Sequence, residues 1–124
     1  MTSAHDWFAD CAENYTAFLF ARSNNFAVFG SGKWEADVVI QNKITNKWLR
    51  IEVRSSSVKK KPLRKKPSKL KDKADILTEI ILKDNVIHVK FNKLTEGKKT
   101  EHLKSLNDPN INEMESWLKQ NFDF

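Results

Sequence analysis

Two acidic residues stand where acids are energetically costly. Asp37 lies inside the apolar run Ala36-Asp37-Val38-Val39-Ile40, and Glu52 inside Ile51-Glu52-Val53. A carboxylate in a half-buried strand costs several kcal/mol unless it is paired or binds a cation. A hairpin closing at Ile44-Thr45 would set position 37 directly opposite position 52. Two carboxylates side by side repel each other, and a divalent cation relieves that repulsion. Their hard oxygens suit Mg²⁺ or Mn²⁺; a Zn²⁺ site would draw on Cys or His, which are not clustered here. A plainer arrangement is open to the same residues: an exposed strand face on which Glu52 pairs with Arg50, Arg54 or Lys47.

The second chemical feature is a concentration of positive charge. The 124 residues carry a net +6, with an isoelectric point of about 9.5. Between Val58 and Lys73 stand nine Lys or Arg and one acid, Asp72, so the remainder of the chain is slightly acidic. A local patch of this kind suits a polyanion such as nucleic acid. Lys59, Lys60, Lys61, Arg64, Lys65, Lys66, Lys69, Lys71 and Lys73 would hold phosphates, and Ser56, where the chain leaves its strand, could touch one. A solvated loop carries such charge equally well.

The elements that must position these groups follow from periodicity. Residues 4–22 read as a helix whose apolar face is Trp7, Phe8, Cys11, Tyr15, Phe18, Leu19 and Arg22. Strands are expected at 26–29, 36–41 and 48–54, the last two joined by a polar hairpin connection at 42–47. The basic stretch, with Pro62 and Pro67, reads as a loop and at most a short helix from Ser68. Ile76–Leu82 and Val86–Phe91 form a second hairpin about Lys83-Asp84-Asn85. Residues 92–106 are polar and read as a connection. Asp108-Pro109 opens a closing helix bearing Ile111, Met114, Glu115, Trp117, Leu118 and Phe122. One α+β domain over 1–124, with a core at about 4–91 and a C-terminal helix at about 109–122, accounts for this order. Nothing in the sequence reads as a signal peptide or a membrane-spanning run, and a single cysteine fits a reducing, cytoplasmic setting.

Phe26-Ala-Val-Phe-Gly-Ser-Gly, then Ala36-Asp37-Val-Val-Ile, then Leu49-Arg-Ile-Glu52-Val-Arg54-Ser-Ser resembles the core of the PD-(D/E)XK nucleases. In size and layout it is most similar to the small Holliday-junction resolvases, over residues of about 10–91. The resemblance implies an α/β/α, restriction-endonuclease-like core with a central mixed sheet of about five strands and a helix at each end of the chain. Asp37 and Glu52 would be the two metal-ligating acids, and Glu13 on the first helix would match an acidic residue that many members place there. A solvent-facing helical Glu is the plainer account of Glu13. Ala36 stands at the motif proline, and Arg54 where the family has lysine. Arginine stabilises charge but gives up no proton at working pH. Arg54 would then act as an electrostatic clamp, or Lys69, Lys71 or Lys73 would reach in, or cleavage is lost.

The activity so implied is metal-dependent, structure-selective cleavage of branched DNA by a homodimer. Its interface would come from the Ile76–Phe91 hairpin or from the C-terminal helix at Trp117, Leu118 and Phe122. Two alternatives are a catalytically silent nuclease-like module that binds nucleic acid or protein, and a sequence-specific restriction or homing endonuclease. Other candidates point to structure. His5, His88 and His102 are scattered, with His88 expected to face outward. Cys11 is expected in the core. Gly30-Ser31-Gly32-Lys33 lacks P-loop spacing, and Trp34 and Trp48 are expected to be buried.

Overall fold

The computed structural model describes residues 4–30, 36–56, 74–94 and 105–124, excepting the side chains of 4–9. Helix α1 (Ala4–Ala21) is followed by strands β1 (Phe26–Phe29), β2 (Val38–Asn42), β3 (Trp48–Ser56), β4 (Ile76–Lys83), β5 (Val86–Lys93) and β6 (Ser105–Asn107). Helix α2 (Ile111–Phe122) closes the order. The strands form one mixed sheet in sequence order, antiparallel except for the parallel pair β3–β4. The fold is therefore α+β, with six strands among the described residues where about five were expected.

The hairpin β2–β3 has the register that its turn chemistry predicts. Asn42 Oδ1 accepts from the backbone nitrogens of Ile44 and Thr45 at 2.8 and 3.2 Å, and Asn46 adopts a left-handed φ of 62°. Val38 faces Ile51 and Gln41 faces Trp48, so extending the ladder one step sets Asp37 opposite Glu52. The β4–β5 turn uses Asp84 and Asn85 at φ 52° and 63°, the pair of positive values a tight hairpin needs. Entry into β4 is pinned from β3: Arg50 N–H donates to Asp75 Oδ2 at 2.9 Å, and Asp75 N–H donates to Arg50 O at 2.8 Å.

Alternation along the strands sends Leu49, Ile51 and Val53 to one face of the sheet, with Ile40, Ile80 and Phe91. Both helices cover that face. Phe91 makes this explicit, because its ring lies 5.1 Å from Phe20 of α1 and 6.3 Å from Trp117 of α2. The opposite face carries Glu52, Arg54 and Ser56, and buries Val39 and Leu77.

Four expectations are corrected. Helix α1 turns a different side to the sheet: Ala12, Thr16, Leu19 and Phe20 are buried, whereas Cys11 is exposed and Phe18 is 61% exposed. Apolar residues ring this helix almost completely, so periodicity alone does not select a face. Small Ala12 and Thr16 permit close approach to the strands, and the Thr16 hydroxyl is satisfied by Ala12 O at 2.9 Å. Strand β6 overlaps the end of the stretch expected to be a connection; three residues are too short for a periodic signal, and pairing with β5 forms it. Helix α2 starts at Ile111, not at Pro109. Asn110 caps it in a reciprocal capping box with Glu113, while Asp108 instead bonds the backbone of Val89. Trp117 and Leu118 are buried in the chain's own core, which removes them as an interface. Among the described residues no helix is long and apolar enough to cross a membrane.

Candidate functional site

Asp37 immediately precedes β2, where the regular ladder has not yet begun. Its Oδ2 takes the place of a ladder acceptor and receives the Val53 N–H at 2.8 Å. This bond holds the carboxylate against β3 beside Glu52, near enough for its charge to act on the Glu52 carboxyl. Glu52 is 13% exposed, and its Oε2 lies 2.7 Å from Arg54 Nη1 on the same face of the strand. Of the three cationic partners open to Glu52, the fold selects Arg54. Arg50 pairs with Asp75 at 3.5 Å and Lys47 with Asp123 at 2.9 Å.

The electrostatics of the pair follow from burial and like charge. Burial pushes the Glu52 carboxyl above its ordinary range, and the Asp37 charge and the hydrogen bond to Asp37 add to this; Arg54 opposes part of the shift. Glu13, half-buried on α1, is raised first by burial and then by the charges of Asp37, Asp10 and Glu52. Helix α1 thus brings a third carboxyl within electrostatic range. Among the described residues no three or more His, Cys, Asp or Glu side chains are grouped closely enough to hold a metal ion. Extension of the β2–β3 ladder sets Asp37 and Glu52 opposite each other. As a donor set, two hard carboxylates that are short of compensating charge suit Mg²⁺ or Mn²⁺.

Ser56 ends β3 half-buried, in the same row of side chains as Glu52 and Arg54. Lys59, Lys60, Lys61, Arg64, Lys65, Lys66, Lys69, Lys71 and Lys73 lie outside the described residues, as do Trp34, Gly32, Lys33 and His102. Trp48 is half-buried and packs on Phe29 at 5.4 Å between ring centroids. His88 faces outward as expected, with Nδ1 3.3 Å from Asp108 Oδ2. Cys11 is an exposed thiol and not a core residue.

Sequence reading missed two polar fixtures. Asp75 is one, and its signal was an acid immediately before an apolar strand. The other is a network on β4, β5 and β6. Asn92 Nδ2 donates to Glu79 Oε1 at 2.9 Å and to Leu77 O at 3.2 Å, and Ser105 Oγ donates to Asn92 Oδ1 at 2.8 Å. No local pattern announces a cluster drawn from three strands. Compared with family models, curated proteins and solved structures, the chain matches none of them.

Proposed function

We propose that the chain is a metal-dependent, structure-selective DNA endonuclease of the PD-(D/E)XK kind, hydrolysing phosphodiesters in branched DNA. The observation that carries this reading is Asp37 fixed by the Val53 N–H beside Glu52, two acids kept close against their own repulsion. A structural ion pair needs only one acid; a second beside it is a standing electrostatic penalty that a cation removes.

In this reading Asp37 and Glu52 hold Mg²⁺ or Mn²⁺, which supplies Lewis acidity toward the scissile phosphate and makes nearby water more acidic. The Val53 N–H fixes the direction of Asp37. Arg54 offsets negative charge as water adds to phosphorus and the leaving oxygen departs. The guanidinium keeps its proton, so it serves as a charge and not as a base. The basic segment grips flanking phosphates without reading bases, so shape selects the substrate and affinity falls with salt. Two nicks across a junction need two sites, hence a homodimer. Val86 and Ile87, 53% and 46% exposed at the end of the β4–β5 hairpin, offer apolar surface for it. The exposed thiol of Cys11 suits a reducing, intracellular setting.

The deciding experiment incubates the purified chain with a four-way junction and with a linear duplex of the same sequence, with and without Mg²⁺. Cleavage of the junction that needs Mg²⁺ and disappears in Asp37→Asn supports the proposal. Binding without cleavage, unchanged in Asp37→Asn, supports a catalytically silent binding module instead. That second reading draws on the Arg54–Glu52 ion pair, which already answers the Glu52 charge. Cutting at one linear sequence would favour a restriction or homing enzyme.

A further inference from the structure

Arg54 is the residue that cation binding must disturb. With Nη1 2.7 Å from Glu52 Oε2, its guanidinium occupies an oxygen that a divalent cation would claim. An arginine displaced beside a newly bound cation needs another anion, since two positive charges at close range repel each other.

The β3–β4 register supplies one. Arg54 and Glu79 are Cα partners in the parallel pair, so both side chains leave the same face of the sheet from strands about 4.8 Å apart. The Glu79 carboxylate is held in advance. Asn92 donates one amide hydrogen to Glu79 Oε1 and the other to Leu77 O, and its own oxygen accepts from Ser105. Both ends of the Asn92 amide are therefore engaged, and it cannot rotate without breaking bonds. Lys90 is the Cα partner of Glu79 on its other side, so Arg54, Glu79 and Lys90 form a cation–anion–cation row across three strands. The proposed cleavage chemistry uses Arg54 but neither Glu79 nor Lys90.

We infer that Glu79 is the alternate counter-ion of Arg54: the guanidinium pairs with Glu52 in the cation-free protein and turns to Glu79 when a divalent cation takes Glu52. The change is a side-chain rotation on a fixed sheet, with one ion pair exchanged for another and no covalent bond made or broken. Glu79 is thus a positioning residue, acting on cation affinity through Arg54. The inference rests on Asp37 and Glu52 being the cation site.

The test uses the full chain without nucleic acid and titrates Mg²⁺ and Mn²⁺ by calorimetry, while NMR follows the Arg54 Nε–H resonance. Glu79→Gln keeps the oxygen that accepts from Asn92 and removes only the charge, so its thermal unfolding serves as the folding control. The wild type should bind the cation with a marked shift of the Arg54 resonance. In Glu79→Gln the affinity should fall roughly fivefold, the scale of one partly exposed ion pair, and the resonance shift should be lost. Glu79→Asp should restore part of both. Wild-type binding with an indifferent Glu79→Gln, in affinity and in resonance, overturns this inference alone. A wild type that binds neither cation overturns the cation site and the inference together.

Discussion

Asp37 Oδ2 accepts the backbone N–H of Val53 at 2.8 Å, one residue beyond the acid it faces. The carboxylate therefore has two roles, as acceptor for a strand and as half of a repelling pair, and substitutions separate them. Asparagine preserves the acceptor and removes the charge, so Asp37→Asn should raise stability by relieving the like-charge repulsion on Glu52. Asp37→Ala leaves the Val53 N–H without its partner and should lower stability by about 2 kcal/mol. Denaturant unfolding of both variants checks the two signs. Equal effects would mean that the bond to Val53 contributes nothing, and no gain in Asp37→Asn would mean that repulsion between the acids is negligible.

The same cluster sets a pH dependence. Glu52 and Glu13 are both raised from an ordinary 4.5. The folded protein holds these protons more tightly than the unfolded chain, so their favourable contribution is complete below about 4.5 and is lost as pH rises through the folded values. Unfolding measured in chelator should show this loss, with a smaller slope in Glu13→Gln than in wild type. Mg²⁺ should stabilise more at neutral pH than at pH 4.5, because it replaces the missing protons.

Arg54 separates clamp from base. Arg54→Lys keeps the positive charge and should retain cleavage, whereas Arg54→Ala should lower the cleavage rate by roughly a hundredfold. Single-turnover rates on a junction at saturating protein give the comparison. Full activity in Arg54→Ala would assign the charge to a lysine of the basic segment.

Assembly can be tested at the β4–β5 hairpin. Val86→Asp combined with Ile87→Lys should convert a dimer to monomer in analytical ultracentrifugation without lowering the melting temperature, since both side chains are exposed within one chain. Coordinated cleavage of the two strands should then become single nicks. A wild type that sediments as a monomer at micromolar concentration rules the dimer out.

What the sequence determined by itself was whatever depends on neighbours along the chain. Asn42 and Asn46 set the turn that closes β2 on β3, and alternation in Leu49, Ile51 and Val53 sets which side is buried; together they put Asp37 opposite Glu52 before any tertiary contact is known. Asp84-Asn85 did the same for the second hairpin. Only the tertiary structure decided which side of α1 meets the sheet. That helix is apolar nearly all round, so Thr16 and Phe20 displaced Cys11 and Phe18 through fit and not through hydropathy. It also decided the ion pairs. Arg50, Arg54 and Lys47 are equivalent to Glu52 in sequence, and the separation comes from Asp75 entering beside Arg50 and Asp123 arriving at Lys47. Strand β6 and the Glu79–Asn92–Ser105 network belong with them, because strand pairing and hydrogen bonds between distant segments leave no periodicity in the residues that make them.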